Sequence, residues 1–176
     1  MRTGRRSTLR GMPPAAPEDR GTALDAVVRA GLWVAYRVLL VLWFVFRPRH
    51  RSVFVAVWHG GRVLAIRNSY RDRLALPAGG IHRGESPEAA ARRELAEEVG
   101  LAVAPGALRF VVEIPSTFEW KRDRCSFFEI ELAAPVAPRV DRREVVWAGW
   151  VAPEAALADR LLPPVRAYLE ARTKSA

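Results

Sequence analysis

The chain has a single cysteine, Cys125, and three histidines, at positions 50, 59 and 82. A lone cysteine excludes an intramolecular disulfide, and the scattered histidines leave no Cys/His spacing of the zinc type. The expected compartment is therefore the reducing cytoplasm. Lysine is scarce, two against twenty-six arginines, a bias that carries no mechanism. Acidic residues are also short, 19 against 28 basic ones, for a formal net charge of +9. The excess is local: residues 1–51 hold ten arginines against three acids, residues 52–176 eighteen basic residues against sixteen acids. A nucleic-acid-binding domain spreads Arg and Lys over a folded face, so no specific nucleic-acid partner is expected.

What is present divides into three parts. Residues 1–22, with Arg2, Arg5, Arg6, Arg10 and Pro13, Pro14 and Pro17, have too few apolar side chains to bury anything and read as a disordered basic tail. Residues 23–47 read as an apolar or amphipathic helix. Its run from Ala26 to Phe46 is about 31 Å long, barely a membrane span. Arg29, Trp33 and Arg37 share a helical stripe, and Arg37 near the middle would cost about 2.5–3.5 kcal/mol at a bilayer centre. A helix lying on a membrane surface is favoured over one that crosses it, and packing on its own domain or in a homodimer also stays open. No small-residue cleavage site follows, so a removable signal peptide is not expected.

Residues 52–172 carry the pattern of an α/β domain at 176 residues of total length. "SVFVAVW" is apolar on both faces, as suits a strand covered on both sides, and His59–Gly61 turns it into "RVLAIRN". "LRFVVEIPST" and "CSFFEIELA" read as an antiparallel pair across the polar turn "EWKRDR". "VVWAGWVA" is a late strand, followed by two helical segments that each begin near a proline. Mixed strands with interspersed helices predict a mixed sheet between helical layers, an α/β/α sandwich.

The chemistry concentrates in "GGIHRGESPEAAARRELAEEVGL", Gly79 to Leu101. Ser86 is a good N-cap, Pro87 suits the first helical position, and Gly100 stops the helix. At 100° per residue, Glu94, Glu97 and Glu98 border the buried stripe of Ala91, Leu95 and Val99. Like charges four apart, such as Glu94 and Glu98, destabilise a helix unless a countercharge offsets them. Gly79, Gly80 and Gly84 let the preceding loop fold back so that Glu85 approaches the same cleft. An oxygen-rich rim of this kind suits Mg²⁺ or Mn²⁺. Taken alone, the helix also reads as a solvated acidic face tied by Arg93 and Glu97.

The spacing of Gly79, Glu85, Arg93, Glu94, Leu95, Glu97, Glu98, Gly100 and Leu101 resembles the Nudix box, with every defined position filled. The resemblance implies an α/β/α sandwich that hydrolyses a nucleoside diphosphate linked to another moiety by a metal-activated water. It implies Glu94, Glu97 and Glu98 as ligands of Mg²⁺ or Mn²⁺, one of them doubling as base. Glu85 would assist through the metal shell, the Gly79 carbonyl would be a further ligand, and Arg93 would orient the glutamates. Glu144 in "DRREVVW" is a candidate base or extra ligand. Ala78 stands where the family often has glycine, and His82, where an acid is common, reads as an exposed loop residue. Substrate contacts are expected from Arg67, Tyr70, Phe118, Trp120 and Lys121, by stacking or by gripping phosphate. Cys125 reads as a small strand residue. The rival functions are a catalytically silent nucleotide-binding module and a membrane-tethered regulatory module. The expected partners are a small-molecule diphosphate and, through residues 23–47, a membrane surface on its cytoplasmic side.

Overall fold

The continuous apolarity of the first core strand has a structural cause: both of its faces are covered. In the computed structural model, which describes residues 22–174, the elements are α1 Ala23–Phe46, β1 Arg49–His59, β2 Arg62–Asn68, β3 Leu74–Ala75, β4 Ala78–Gly80, α2 Pro87–Val99, β5 Arg109–Ser116, β6 Arg122–Glu131, β7 Val145–Val151, α3 Pro153–Ala158 and α4 Pro163–Lys174. The tail expected over 1–22 lies outside the described residues except for Thr22, which caps α1 in a reciprocal box with Asp25.

β1 runs parallel to β6 from Arg49↔Arg122 to Trp58↔Glu131. Its odd positions Val53, Val55 and Val57 and its even positions Phe54, Ala56 and Trp58 are all buried. The even face meets α4: Phe54 stacks on Phe127 at 4.9 Å, and Phe127 stacks on Tyr168 at 4.8 Å. Trp58 Nε1 donates to the Tyr168 hydroxyl at 3.2 Å, which donates to Glu129 at 2.5 Å. The odd face lies under α2, whose Ala90, Ala91, Leu95 and Val99 are buried. This is the expected mixed sheet between helical layers.

The sheet forks where the site lies. β1 and β2 pair only at their hairpin, Trp58↔Val63 and His59↔Arg62, where Gly60 and Gly61 both take positive φ, as a tight two-residue turn requires. The strands then diverge, and residues 74–80 fill the gap. β3 pairs β2 at Ile66↔Ala75, β4 pairs β1 at Val53↔Gly79, and Val55 N donates to Pro77 O at 2.8 Å. β7 lies antiparallel on the outer edge of β2, and β5 lies antiparallel on β6.

Two features depart from the sequence expectation. β6 begins at Arg122 rather than Cys125, because Arg122–Arg124 continue the parallel ladder onto Arg49–Arg51. β1 likewise begins before Ser52. β3 and β4 were not anticipated, since two- and three-residue strands carry no periodicity.

Phe127 is fully buried between two stacked rings. Phe127→Ala is expected to lose about 3–5 kcal/mol of unfolding free energy. Denaturant unfolding of the two chains checks this; a loss below about 1 kcal/mol would mean that the ring stack does not tie the sheet to α4.

Candidate active site

A cavity of about 370 Å³ opens at the fork, with Gly79, Glu94, Glu97, Glu98 and Glu144 on its wall. Ser86 Oγ accepts from Ala89 N at 3.2 Å, so α2 starts where the sequence places its cap, and Gly100 ends it at φ +70°. That fixed start brings the glutamates under β4. A Cβ on Gly79 would stand 1.9 Å from Glu94 Oε1, so only glycine allows the strand this close to the carboxylate.

The carboxylates differ in setting. Glu94 is 9% exposed and Glu98 8% exposed, whereas the Glu97 side chain is 59% exposed. Glu98 accepts from Ala78 N at 2.8 Å. Burial pushes the Glu98 carboxyl well above the usual carboxylate range despite that bond, and the charges of Glu94 and Glu144 push it further. Burial also raises Glu94, outweighing the Arg93 guanidinium 2.6 Å away. Glu144 joins the group from the start of β7, held by the Tyr70 hydroxyl, which donates at 2.8 Å. Asp141 Oδ1 accepts from the backbone N–H of Glu144 at 3.1 Å and so shapes that turn.

Arg93 is the hub. Its Nε and Nη2 reach Glu85 at 3.0 and 3.1 Å, Nη2 donates to the Gly80 carbonyl at 2.9 Å, and Nη1 reaches Glu97 at 3.3 Å. This fork ties the loop before α2 to the helix itself. The Arg93 bonds and the N–H of His82 at 2.9 Å hold the Glu85 carboxyl down to about 2. Glu85 does not line the cavity; both its oxygens are engaged with Arg93. His82 is exposed in the loop, 3.8 Å from Glu85.

Among the described residues, no three Asp, Glu, His or Cys side chains are gathered into a ready-made metal cage. Mutual repulsion spreads such charges. The donor chemistry nonetheless fits a hard divalent cation: the converging groups are oxygens, and two are buried carboxylates whose charged form a cation would favour.

Of the expected substrate contacts, Tyr70, Phe118 and Lys121 line the cavity. Arg67 does not; its guanidinium pairs with Asp159 after α3. Trp120 also lies off the wall, 52% exposed, its ring edge-on to Phe44 at 5.1 Å. Cys125 is a buried strand residue, as read. Three parts of the wall were not anticipated. Glu119, buried, accepts from Arg71 Nε and Nη2 at 2.9 and 3.0 Å and from the Tyr36 hydroxyl at 2.5 Å. Asp123 accepts from Ser52 Oγ at 3.0 Å and faces His50 Nδ1 at 3.4 Å. Trp43 of α1 covers Lys121 Nζ at 4.2 Å from its ring centroid. Asp123 lies in the segment "EWKRDR" that reads as a polar turn, so the sequence carried no signal for its place in β6.

The fold and this site define an enzyme of the class that hydrolyses phosphoanhydride bonds. The family model described as NUDIX domain matches residues 48–171, and the chain belongs to the Nudix family. It is similar to a MutT Nudix hydrolase from Burkholderia pseudomallei at 25% identity and a TM-score of 0.56, over 70% of this chain and 96% of that one. Its fold matches the dihydroneopterin triphosphate pyrophosphohydrolase of E. coli at 22% identity and a TM-score of 0.60, over 72% and 96% of the two chains. It also matches the Nudix domain of Shewanella oneidensis NrtR, complexed with ADP ribose, at 19% identity and a TM-score of 0.61, over 75% and 92%. No curated protein matches.

Gly79→Ala is expected to displace Glu94 by more than an ångström and to lower turnover about 100-fold. Steady-state kinetics of the folded variant check this; unchanged turnover would separate Glu94 from the chemistry.

Proposed function

We propose that the chain hydrolyses a nucleoside diphosphate linked to another moiety with Mg²⁺ or Mn²⁺ as cofactor. The observation that carries the reading is the convergence of Glu94, Glu97, Glu98 and Glu144 on one cavity beside the Gly79 backbone. These four side chains and the Gly79 carbonyl would hold the cation. When bound, such an ion lowers the pKa of water and neutralises charge on phosphate oxygens. The ADP ribose bound by the Nudix domain of Shewanella oneidensis NrtR supports the substrate class.

The protein's own groups divide the remaining work. Arg93 is a positioning residue: its fork fixes Glu94 and Glu97 and holds the loop through Glu85 and Gly80. Ala78 N–H locks the Glu98 carboxylate. Glu144, oriented by Tyr70, is the candidate to take a proton from the attacking water, and it is also placed to serve as a further ligand. Lys121 adds positive charge to the cavity wall, and Tyr70 and Phe118 add aromatic rings to it.

Membrane contact through residues 23–47, on the cytoplasmic side, belongs to the same proposal. The exposed apolar side chains of α1 support it, Val27 at 68% and Phe46 at 72% among them. A homodimer through the same helix is the rival occupant.

The test is hydrolysis of nucleoside triphosphates, dinucleoside polyphosphates, nucleotide sugars and dinucleotide cofactors with Mg²⁺ or Mn²⁺. Chelator is expected to abolish turnover, and Glu97→Gln and Glu98→Gln are each expected to lower it by about 100-fold or more. Mn²⁺ binding without turnover on any compound would instead support a catalytically silent nucleotide-binding module.

A further inference from the structure

α1 is amphipathic in the reverse sense for a helix that only belongs to a soluble domain. At 100° per residue with Tyr36 at zero, Asp25, Arg29, Leu32, Leu40 and Trp43 fall within about 40° of Tyr36. These half-buried or near-buried positions meet the domain, and they include both charges of that face. The stripe within about 60° of the opposite point, through Val27, Val34, Val38, Val41, Leu42 and Val45, carries no charge. All six of these side chains are 43% exposed or more. Arg37 borders that stripe and has its guanidinium folded onto the Trp33 ring at 4.7 Å. An uncharged, exposed stripe of this length marks an interaction surface.

The contacts along α1 exclude a crossing orientation with the domain docked as it is. Asp25 receives Arg143 Nε at 3.0 Å, Tyr36 donates to Glu119, and Trp43 covers Lys121. From Asp25 to Trp43 this is about 27 Å of helix held against charged groups of the domain. A helix spanning a bilayer would carry Arg71, Glu119, Lys121 and Arg143 into hydrocarbon, where each charge costs several kcal/mol or more.

A second observation comes from the foot of α1. The parallel register pairs Arg49 with Arg122 and Arg51 with Arg124, so four exposed arginines form a two-by-two array on one face of the sheet. Arg124 is paired with Glu113. Among the described residues no carboxylate pairs with Arg49, Arg51 or Arg122. The four line a groove of about 600 Å³ with Pro115, Ser116 and Thr117, and His50 and Asp123 also reach it, Asp123 buried and engaged with Ser52 and His50. The array continues into the helix: Arg122 shares a smaller cavity with Arg47 and Trp120, and Trp120 packs on Phe44 of α1. An apolar stripe that leads through an exposed tryptophan to arginines with no carboxylate partner among the described residues is the profile of an interfacial helix beside phosphate-binding groups.

We infer that α1 lies in the plane of an anionic bilayer, its valine stripe in the acyl boundary, and that Arg49, Arg51 and Arg122 hold lipid headgroup phosphates. The inference rests on the membrane contact proposed above and adds its orientation and its anion site. A second copy docked through the same stripe would present an uncharged surface there, whereas an anionic bilayer offers both an apolar layer to the stripe and phosphates to the arginines.

The test uses the full chain and co-sedimentation with vesicles of phosphatidylcholine alone or with added phosphatidylglycerol. Binding is expected to need the anionic lipid and to be released by an alkaline carbonate wash. Each of Arg49→Gln, Arg51→Gln and Arg122→Gln is expected to weaken it about fivefold. Val38→Asp with Val45→Asp is expected to abolish it, and circular dichroism melts verify that each variant is folded. Wild-type binding by the triple arginine variant would overturn the headgroup site while leaving membrane contact intact. Resistance to carbonate would overturn the in-plane orientation. No binding to any vesicle, with a concentration-dependent dimer in light scattering, would overturn membrane contact itself and give the stripe to a second copy.

Discussion

The site depends on one guanidinium. Arg93 contacts Glu85, Glu94, Glu97 and the Gly80 carbonyl at once, so it fastens the loop before α2 to the face of α2 that borders the cavity. Without it, the carboxylates that Arg93 contacts would lose this fixed countercharge, and the loop would lose its guanidinium anchor to the helix. The close passage of Gly79 over Glu94 is the other half of the same constraint. The strand is pulled in by Arg93 and admitted by the missing side chain.

The fork of the sheet gives this joint its place. β1 and β2 separate after their hairpin, and residues 74–80 enter the gap, so one strand segment forms both the wedge and the cavity wall. The Phe54, Phe127 and Tyr168 stack holds β1, β6 and α4 in register, and the parallel pairing of β1 with β6 sets Asp123 beside Ser52 and His50. Core packing and site geometry are therefore coupled through β1.

Glu119 couples α1 to the same cavity. It sits in a tight turn with φ of 59°, followed by Trp120 at 66°, both unusual for residues with side chains. Arg71, Lys121 and Tyr36 all close on its carboxylate. The helix thus bears on the cavity rim through a strained turn, which links α1 to the wall that includes Lys121 and Trp43.

The box was legible from sequence because its determinants are local. A cap at Ser86, a stop at Gly100 and the angles among Glu94, Glu97 and Glu98 all follow from one helix's geometry, and the glycines before it announce a close approach. The antiparallel pairs β1–β2 and β5–β6 were legible for the same reason, from runs bounded by turns, whereas the parallel pairing of β1 with β6 was not. Lys121 and Tyr70 were found on the wall, but Arg67 and Trp120 were not, because period and residue type do not say which side of a turn faces a cavity. Asp123, Glu119 and Trp43 were invisible, since their partners stand 71, 83 and 78 residues away in the chain, at Ser52, Tyr36 and Lys121 respectively. The sequence by itself determined a helix with its metal-type carboxylates on one border and an apolar helix before the domain. Only the tertiary structure decided which face of α1 is turned outward and which charges gather around it, because both depend on pairings across the sheet that no local pattern encodes.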